Sequence, residues 1–147
     1  MNNKSIRFAF AVDQFNSFKP KHFGDAEKYL IYEWINNEII FLKEETNRFK
    51  NSDEEQTHGS QKKGEAIIDF LKGLNINVLV SRQFGKNIQM VNRHFIPVIV
   101  FEDIPGKAIM ALSKHIKWIV DELNNKPDDF KLFTLKNGVL KTSIRKE

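Results

Sequence analysis

Ile6-Arg7-Phe8-Ala9-Phe10-Ala11-Val12 is a short, apolar and β-prone run near the start of the sequence. Its residues are almost all of the kinds that proteins bury, and Arg7 is the one charged residue among them. We therefore predict a mostly buried strand over residues 6–12. Residues 13–21, which are polar and contain Pro20, predict a loop directly after that strand.

The next elements predict a hairpin, which places antiparallel strands in the same sheet. Residues 23–27 indicate a turn with a short helical piece. Two β-prone runs, residues 29–35 and 38–43, then flank Asn36-Asn37. Asparagine tolerates positive φ, which a two-residue hairpin turn requires at both positions. Residues 44–57 are polar and acidic without periodicity, and they predict a surface loop.

The second half of the chain alternates helices with strands, which is typical of parallel strands joined by right-handed crossovers. The predicted elements are a helix at 60–73, a strand at 75–80, a helix at 86–94, a strand at 95–100 and a helix at 105–124. Pro97 cannot donate a ladder hydrogen bond, so we expect it at a sheet edge or near the start of its strand.

The last residues predict a second hairpin. Lys136-Asn137-Gly138-Val139 is a strong type I′ turn signal, which pairs residues 132–135 with 139–142. The fold class is therefore α/β, with one mixed β-sheet flanked by helices in the order β-ββ-α-β-α-β-α and a C-terminal β-hairpin extension. We expect one domain over residues 1–125 and the extension over residues 126–147.

Composition narrows the classes of function. The 147 residues include no cysteine, so disulfides, thiolate metal sites and thiol catalysis are excluded. No apolar run approaches the roughly 20 residues that cross a bilayer, and Arg7 interrupts any signal-peptide core, so we expect a cytoplasmic protein without membrane contact. The net charge of +4 suits an anionic ligand, while the scattered basic residues argue against a nucleic-acid partner.

Two loops are candidates for a binding site: the first follows the predicted strand at 6–12, and the second follows the predicted strand at 75–80. Ligands of open α/β sheets bind beyond the carboxyl ends of strands, where the strand order switches. The second loop ends at a predicted helix N-terminus, whose free N–H groups favour an anion. The residues that these loops offer, together with one histidine before the helix at 60–73, are Asp13, His22, Phe23, Gly24, His58, Ser81, Arg82, Phe84, Gly85 and Lys86. Each also has an ordinary use as a turn, cap, core or surface residue.

Common catalytic motifs are absent from the sequence. It contains no G-x-G-x-x-G, Walker loop, G-x-S-x-G elbow or H-E-x-x-H. A closed zinc site would require ligands from distant loops without any cysteine. These absences leave classical nucleotide binding, serine-hydrolase chemistry and a zinc-protease site without support from the sequence.

Several segments, in this order, follow a family pattern. They are Phe8-Ala9-Phe10-Ala11-Val12-Asp13, His22-Phe23-Gly24-Asp25-Ala26 with Tyr29-Leu30-Ile31-Tyr32, His58-Gly59 with Ile67-Ile68-Asp69-Phe70-Leu71, and Asn77-Val78-Leu79-Val80 with Phe84-Gly85-Lys86-Asn87. The chain thereby resembles the dinitrogenase iron–molybdenum cofactor biosynthesis family, which includes nitrogenase cofactor carriers. The resemblance covers residues 6–123.

The resemblance implies a ribonuclease H-like topology and binding of an iron–sulfur-type or iron–molybdenum-type cluster, or its precursor, without catalysis. It implies His22 as the metal ligand and cluster-donor or cluster-acceptor proteins as partners. The remaining pocket residues would be Asp13, Phe23, Gly24, His58, Arg82, Gly85 and Lys86. The chain departs from the family in lacking cysteine, in a loop at 13–21 that is not glycine-rich, and in Ser81-Arg82-Gln83 where small residues are common.

Three classes of function stay open at this point. The first is a non-enzymatic carrier of an anionic metallocofactor. The second is a nuclease, which would require Asp13 to converge with Glu65 or Asp69 on two metal ions. The third is a protein-interaction or regulatory domain of the same fold that has lost cluster binding. Its contacts would include exposed aromatic residues among Phe15, Phe18, Phe130 and Phe133.

Overall fold

A seven-stranded mixed sheet forms the centre of the protein, with strands in the order β3-β2-β1-β4-β5-β6-β7. The computed structural model describes residues 5–50, 59–125 and 127–142. The strands are β1 (Ile6–Val12), β2 (Lys28–Ile35), β3 (Glu38–Thr46), β4 (Val78–Ser81), β5 (Ile96–Val100), β6 (Phe133–Lys136) and β7 (Val139–Thr142).

Helices cover both faces of this sheet. They are α1 (Gly59–Gly73), α2 (Ile88–Val91), α3 (Pro105–Lys114) and α4 (Ile116–Asn125), and two short 3-10 turns lie at Phe23–Asp25 and Gly85–Asn87. None of the helices within the described residues is long and apolar enough to cross a membrane.

Strand β1 is the centre of the core because it is paired on both sides and buried on both faces. It runs antiparallel to β2, with Phe8 opposite Tyr32, and parallel to β4, with Phe8 opposite Val78. Phe8 and Phe10 pack into the apolar cluster that includes residues of α3 and α4. Ala9, on the other face, packs into the cluster that includes α1. This alternation confirms the predicted buried strand.

The first hairpin is confirmed, and its second strand is longer than predicted. Asn36 and Asn37 have φ angles of 55° and 67°, as a type I′ turn requires. Strand β3 runs through Thr46, whereas the sequence analysis assigned residues 44–46 to a surface loop. The polar residues 44–46 continue the strand because their backbone pairs with β2, where Glu44 lies opposite Leu30. Strand β3 is at the edge of the sheet, so it is paired on one side only and tolerates polar residues.

Two helix predictions were wrong in extent. The helix expected at 86–94 is a 3-10 turn followed by the single turn of α2. The helix expected at 105–124 is divided at His115, whose φ of −112° and ψ of 25° leave the helical region. Apolar residues keep helical spacing across His115, so the periodicity alone did not reveal the break.

The terminal hairpin pairs within the chain as part of the main sheet. Strand β6 runs parallel to β5, with Val98 opposite Phe133, and Asn137 and Gly138 form the turn to β7 with φ angles of 54° and 76°. Pro97 is the second residue of β5, which confirms its place near a strand start. The α/β class and the mixed sheet are confirmed, while the ribonuclease H-like topology and the division at residue 125 stay predictions.

We predict that Leu140→Ala destabilises the protein by about 2–5 kcal/mol, because its side chain is fully buried in β7 and its removal leaves a cavity. Val139→Ala is the matched control, since Val139 is 39% exposed, and it should cost less than about 1 kcal/mol. Urea unfolding measures both free energies. Equal and small losses of unfolding free energy in the two variants would contradict the prediction, because they would show that Leu140 does not contribute to the core.

Candidate site at the carboxyl ends of the central parallel strands

The loops after β1 and β4 meet, as the sequence analysis expected. His22 and Gln83 form an isolated parallel bridge, and the Phe23 N–H donates to the Gln83 carbonyl at 3.1 Å. Ser81 stabilises the second loop, because its hydroxyl donates to the same carbonyl at 3.0 Å. Two segments about 60 residues apart in sequence are therefore joined by backbone contacts at one end of the sheet.

His22 is exposed at this junction, and its ring lies against Gly85. A Cβ atom placed on Gly85 would come within 2.2 Å of His22 Cε1 and 2.7 Å of Nδ1. Gly85 also has a φ of +62°, in the left-handed region that favours glycine. The site therefore requires glycine here for two separate reasons, one of them being the room taken by the imidazole.

Phe23 and Gly24 directly follow His22 and lie on the interior side of its loop, where Phe23 is buried and Gly24 is half-buried. Phe23 is buried, and its ring centroid lies 5.8 Å from that of Phe84. The Tyr29 hydroxyl donates to the Phe23 carbonyl at 2.7 Å, and burial raises the pKa of that hydroxyl well above its usual range, which keeps the donor protonated. An added Cβ at Gly24 would lie 3.4 Å from Ile67 Cδ1, an ordinary van der Waals distance, so packing against α1 does not require glycine there.

Two residues that the sequence analysis did not single out hold this loop in place. The Asn47 side-chain amide donates to the Gly24 and Ala26 carbonyls at 3.0 and 2.8 Å. Lys63 of α1 is buried and donates to the Asp25 carboxylate at 2.7 Å. Both act across long sequence separations, and no local motif in the sequence indicates such partners.

Asp13 organises its own loop. Its Oδ1 accepts the Phe15 and Ser17 N–H groups at 2.8 and 2.9 Å, and Lys19 Nζ lies 3.7 Å from Oδ2. Burial raises the pKa of the Asp13 carboxyl, but these hydrogen bonds and the lysine charge together hold it below its ordinary value. The Asp13 carboxylate therefore makes its hydrogen bonds and its ion pair within its own loop.

Arg82 and Lys86 differ in the contacts that their side chains make. The Arg82 guanidinium donates to the Phe18 carbonyl at 3.3 Å and lies 3.6 Å from Asp103 Oδ1, so it ties the loops after β1, β4 and β5 together. Lys86 is exposed, one residue beyond Gly85. The helix that follows is only α2, so the expected helix dipole at this point is small.

Among the residues that the structure describes, the site is an open surface to which one histidine, His22, contributes its imidazole. The enclosed space beside His22 and Asp13 is about 10 Å³, roughly the room for one water. Within residues 5–50, 59–125 and 127–142, no three histidine or carboxylate side chains converge as a metal-binding group. Glu65 and Asp69 lie exposed on α1 and do not join Asp13 in such a group. His58 lies outside the described residues.

The aromatic residues considered as partner contacts are mostly internal. Phe18 and Phe133 are buried at 2% exposure, and Phe130 is half-buried. Phe15 is 75% exposed and is the exception among the four. Three of the four are therefore used in packing.

The fold and the site define an α/β protein with an exposed histidine on joined loops at the carboxyl ends of its central parallel strands. Residues 4–117 match the family described as dinitrogenase iron-molybdenum cofactor. The chain belongs to that family, as the resemblance indicated. No curated protein matches the sequence.

We predict that Gly85→Ala both destabilises the protein and displaces the His22 ring. Gly138→Ala is the matched control, because Gly138 also has positive φ, at 76°, but an added Cβ there meets nothing within 4 Å. The control should lose about 1 kcal/mol from backbone strain alone, and Gly85→Ala should lose more. Urea unfolding and the NMR shifts of the His22 ring check this. Equal losses with unchanged shifts would contradict the contact.

Asp13→Ala should destabilise the protein by about 1–3 kcal/mol at neutral pH, because the Phe15 and Ser17 N–H groups lose their acceptor. Asp13→Asn keeps an acceptor oxygen and should lose less. Because the folded pKa is lowered, the charge-dependent stabilisation is present above the unfolded value of 3.8 and is lost as the pH falls through the folded pKa. Unfolding measured from pH 7 to 2 should show this loss in wild type and its absence in Asp13→Asn.

Proposed function

We propose that this protein is a non-enzymatic carrier of an anionic iron–sulfur-type or iron–molybdenum-type cluster, or its precursor, in the cytoplasm. The observation that carries the proposal is the exposed His22 ring seated against Gly85 on two joined loops. Membership in the dinitrogenase iron-molybdenum cofactor family supports a place in nitrogenase cofactor biosynthesis. The cluster is cargo in this proposal and takes no part in a reaction on the protein.

The chemistry of the side chains suits this cargo. Neutral imidazole is a good ligand for iron, and His22 is exposed enough to reach a cluster that is too large for the enclosed space below it. Lys21 and Lys86 are exposed next to His22 and Gly85 in sequence. Their positive charges would reduce the cost of bringing an anionic cluster to the protein surface.

Within the described part of the chain, His22 supplies one imidazole to the site, and a single ligand of this kind makes the cargo exchangeable. One protein ligand holds a cluster less firmly than a closed set of three or four would, so donor and acceptor proteins can compete for it. We infer that the partners are proteins that deliver or accept the cluster and that they supply further ligands. Phe23, Gly24, Gly85 and Asp13 then serve the site by fixing the loops.

His22→Ala should abolish stoichiometric cluster binding, because it removes the imidazole and leaves the loop backbone intact. The measurement is anaerobic incubation with iron–molybdenum cofactor extracted from nitrogenase, followed by gel filtration and by iron and molybdenum analysis of the protein fraction. Wild type should retain about one cofactor per chain, and the variant should lose at least about 90% of it, which requires the affinity to fall by roughly 80-fold or more.

His94→Ala is the matched control, since His94 is also exposed but precedes β5, at the opposite end of the parallel strands. It should bind cofactor as wild type does. Cofactor binding that survives in His22→Ala would overturn the ligand assignment. Failure of wild type to retain iron, molybdenum or a cluster reconstituted from ferrous iron and sulfide would overturn the carrier function itself and favour an interaction domain that has lost its cargo.

A further inference from the structure

A second cavity lies between α4 and the terminal hairpin, and it shares no residue with the loops that carry His22. Its volume is about 510 Å³, within the range of about 300–1,000 Å³ that is usual for small-molecule sites. Helix α4 contributes Trp118 and Glu122 to its lining, and the segment leading into the hairpin contributes Lys131. Phe133 and Leu140, both buried, give it an apolar floor.

Glu122 is the feature of this cavity that ordinary packing does not explain. It is 4% exposed, and its Oε2 accepts the Lys131 N–H at 2.9 Å. Its other oxygen, Oε1, accepts no hydrogen bond within the part of the chain that the structure describes, and this atom is not fully buried. The residue also lies in the last turn of α4, where the helix dipole opposes a negative charge. A carboxylate at this end of a helix is unfavourable, and an N–H donor from a ligand in the cavity would offset that cost.

The other residues of the lining restrict what that ligand is. Trp118 is 46% exposed and presents an indole ring to the cavity, while His115 stacks on it at 4.6 Å and 22°. An exposed indole is a surface on which planar heterocycles stack. Lys131 and Lys141 are exposed, and Asp121 and Glu122 balance their charges, so the lining suits a ligand that carries both N–H donors and an anionic group.

We propose that this cavity binds a guanine nucleotide. The base stacks on Trp118, its N1–H and N2–H groups donate to Glu122, and the phosphate pairs with Lys131 and Lys141. Adenine presents an acceptor, N1, at the equivalent edge, so the Glu122 carboxylate repels it. The proposal does not depend on cluster binding at His22.

Calorimetric titration of the full chain with GMP and AMP tests the proposal. Wild type should bind GMP with a Kd below about 1 mM and bind AMP at least about tenfold more weakly. Glu122→Gln, which is isosteric and still accepts the Lys131 N–H, should weaken GMP binding at least about tenfold and remove most of the preference over AMP. Glu65→Gln, an exposed glutamate on the opposite face of the sheet, should change neither value.

Trp118→Leu provides a second variant, because this ring is half-exposed and its loss leaves the core cluster intact. It should weaken GMP binding at least about tenfold without moving the urea midpoint. Equal affinity for GMP and AMP, unchanged GMP binding in Glu122→Gln, or no GMP binding at all would overturn the proposal. Binding of spermidine in place of GMP, lost in Glu122→Gln, would also overturn it and identify a cation site.

Discussion

Parallel pairing between β1 and β4 places the carboxyl ends of two buried strands side by side, and the loops that follow depend on it. The register pairs Phe8 with Val78 and Phe10 with Val80, all fully buried. Because this pairing is non-local and apolar, it fixes the strand ends with the stability of the whole core. The bridge between His22 and Gln83 continues the same parallel arrangement beyond the sheet.

That constraint explains why an exposed histidine can have a defined position. His22 makes no capping hydrogen bond with its side chain, yet its backbone is held by Gln83 and its ring lies against Gly85. The supporting contacts of Phe23 and Asn47 lie below the surface and leave the imidazole itself open to solvent. Among the described residues, the result is a fixed loop junction with one accessible imidazole, which is the property that the proposed carrier function requires.

Much of this arrangement could be predicted from the sequence, and the features that the predictions missed have physical explanations. The apolar run at residues 6–12, the Asn36-Asn37 turn and the Asn137-Gly138 turn are local signals, and each was confirmed. The break at His115 was missed because helical periodicity continues through it. The meeting of the two loops followed from the strand-end rule. Asn47 and Lys63 were missed because their hydrogen bonds join residues far apart in sequence.

The central claim is that one imidazole, that of His22, is the ligand this protein gives to a cluster. Pulsed electron paramagnetic resonance of cofactor-loaded protein, labelled with ¹⁵N at histidine, tests that claim most directly. The account predicts a hyperfine coupling from one histidine nitrogen in the wild-type protein. The coupling should be absent in the small cofactor-loaded fraction of His22→Gln, and it should be unchanged in His94→Gln. A bound cluster without any histidine coupling in the wild-type protein would contradict the account.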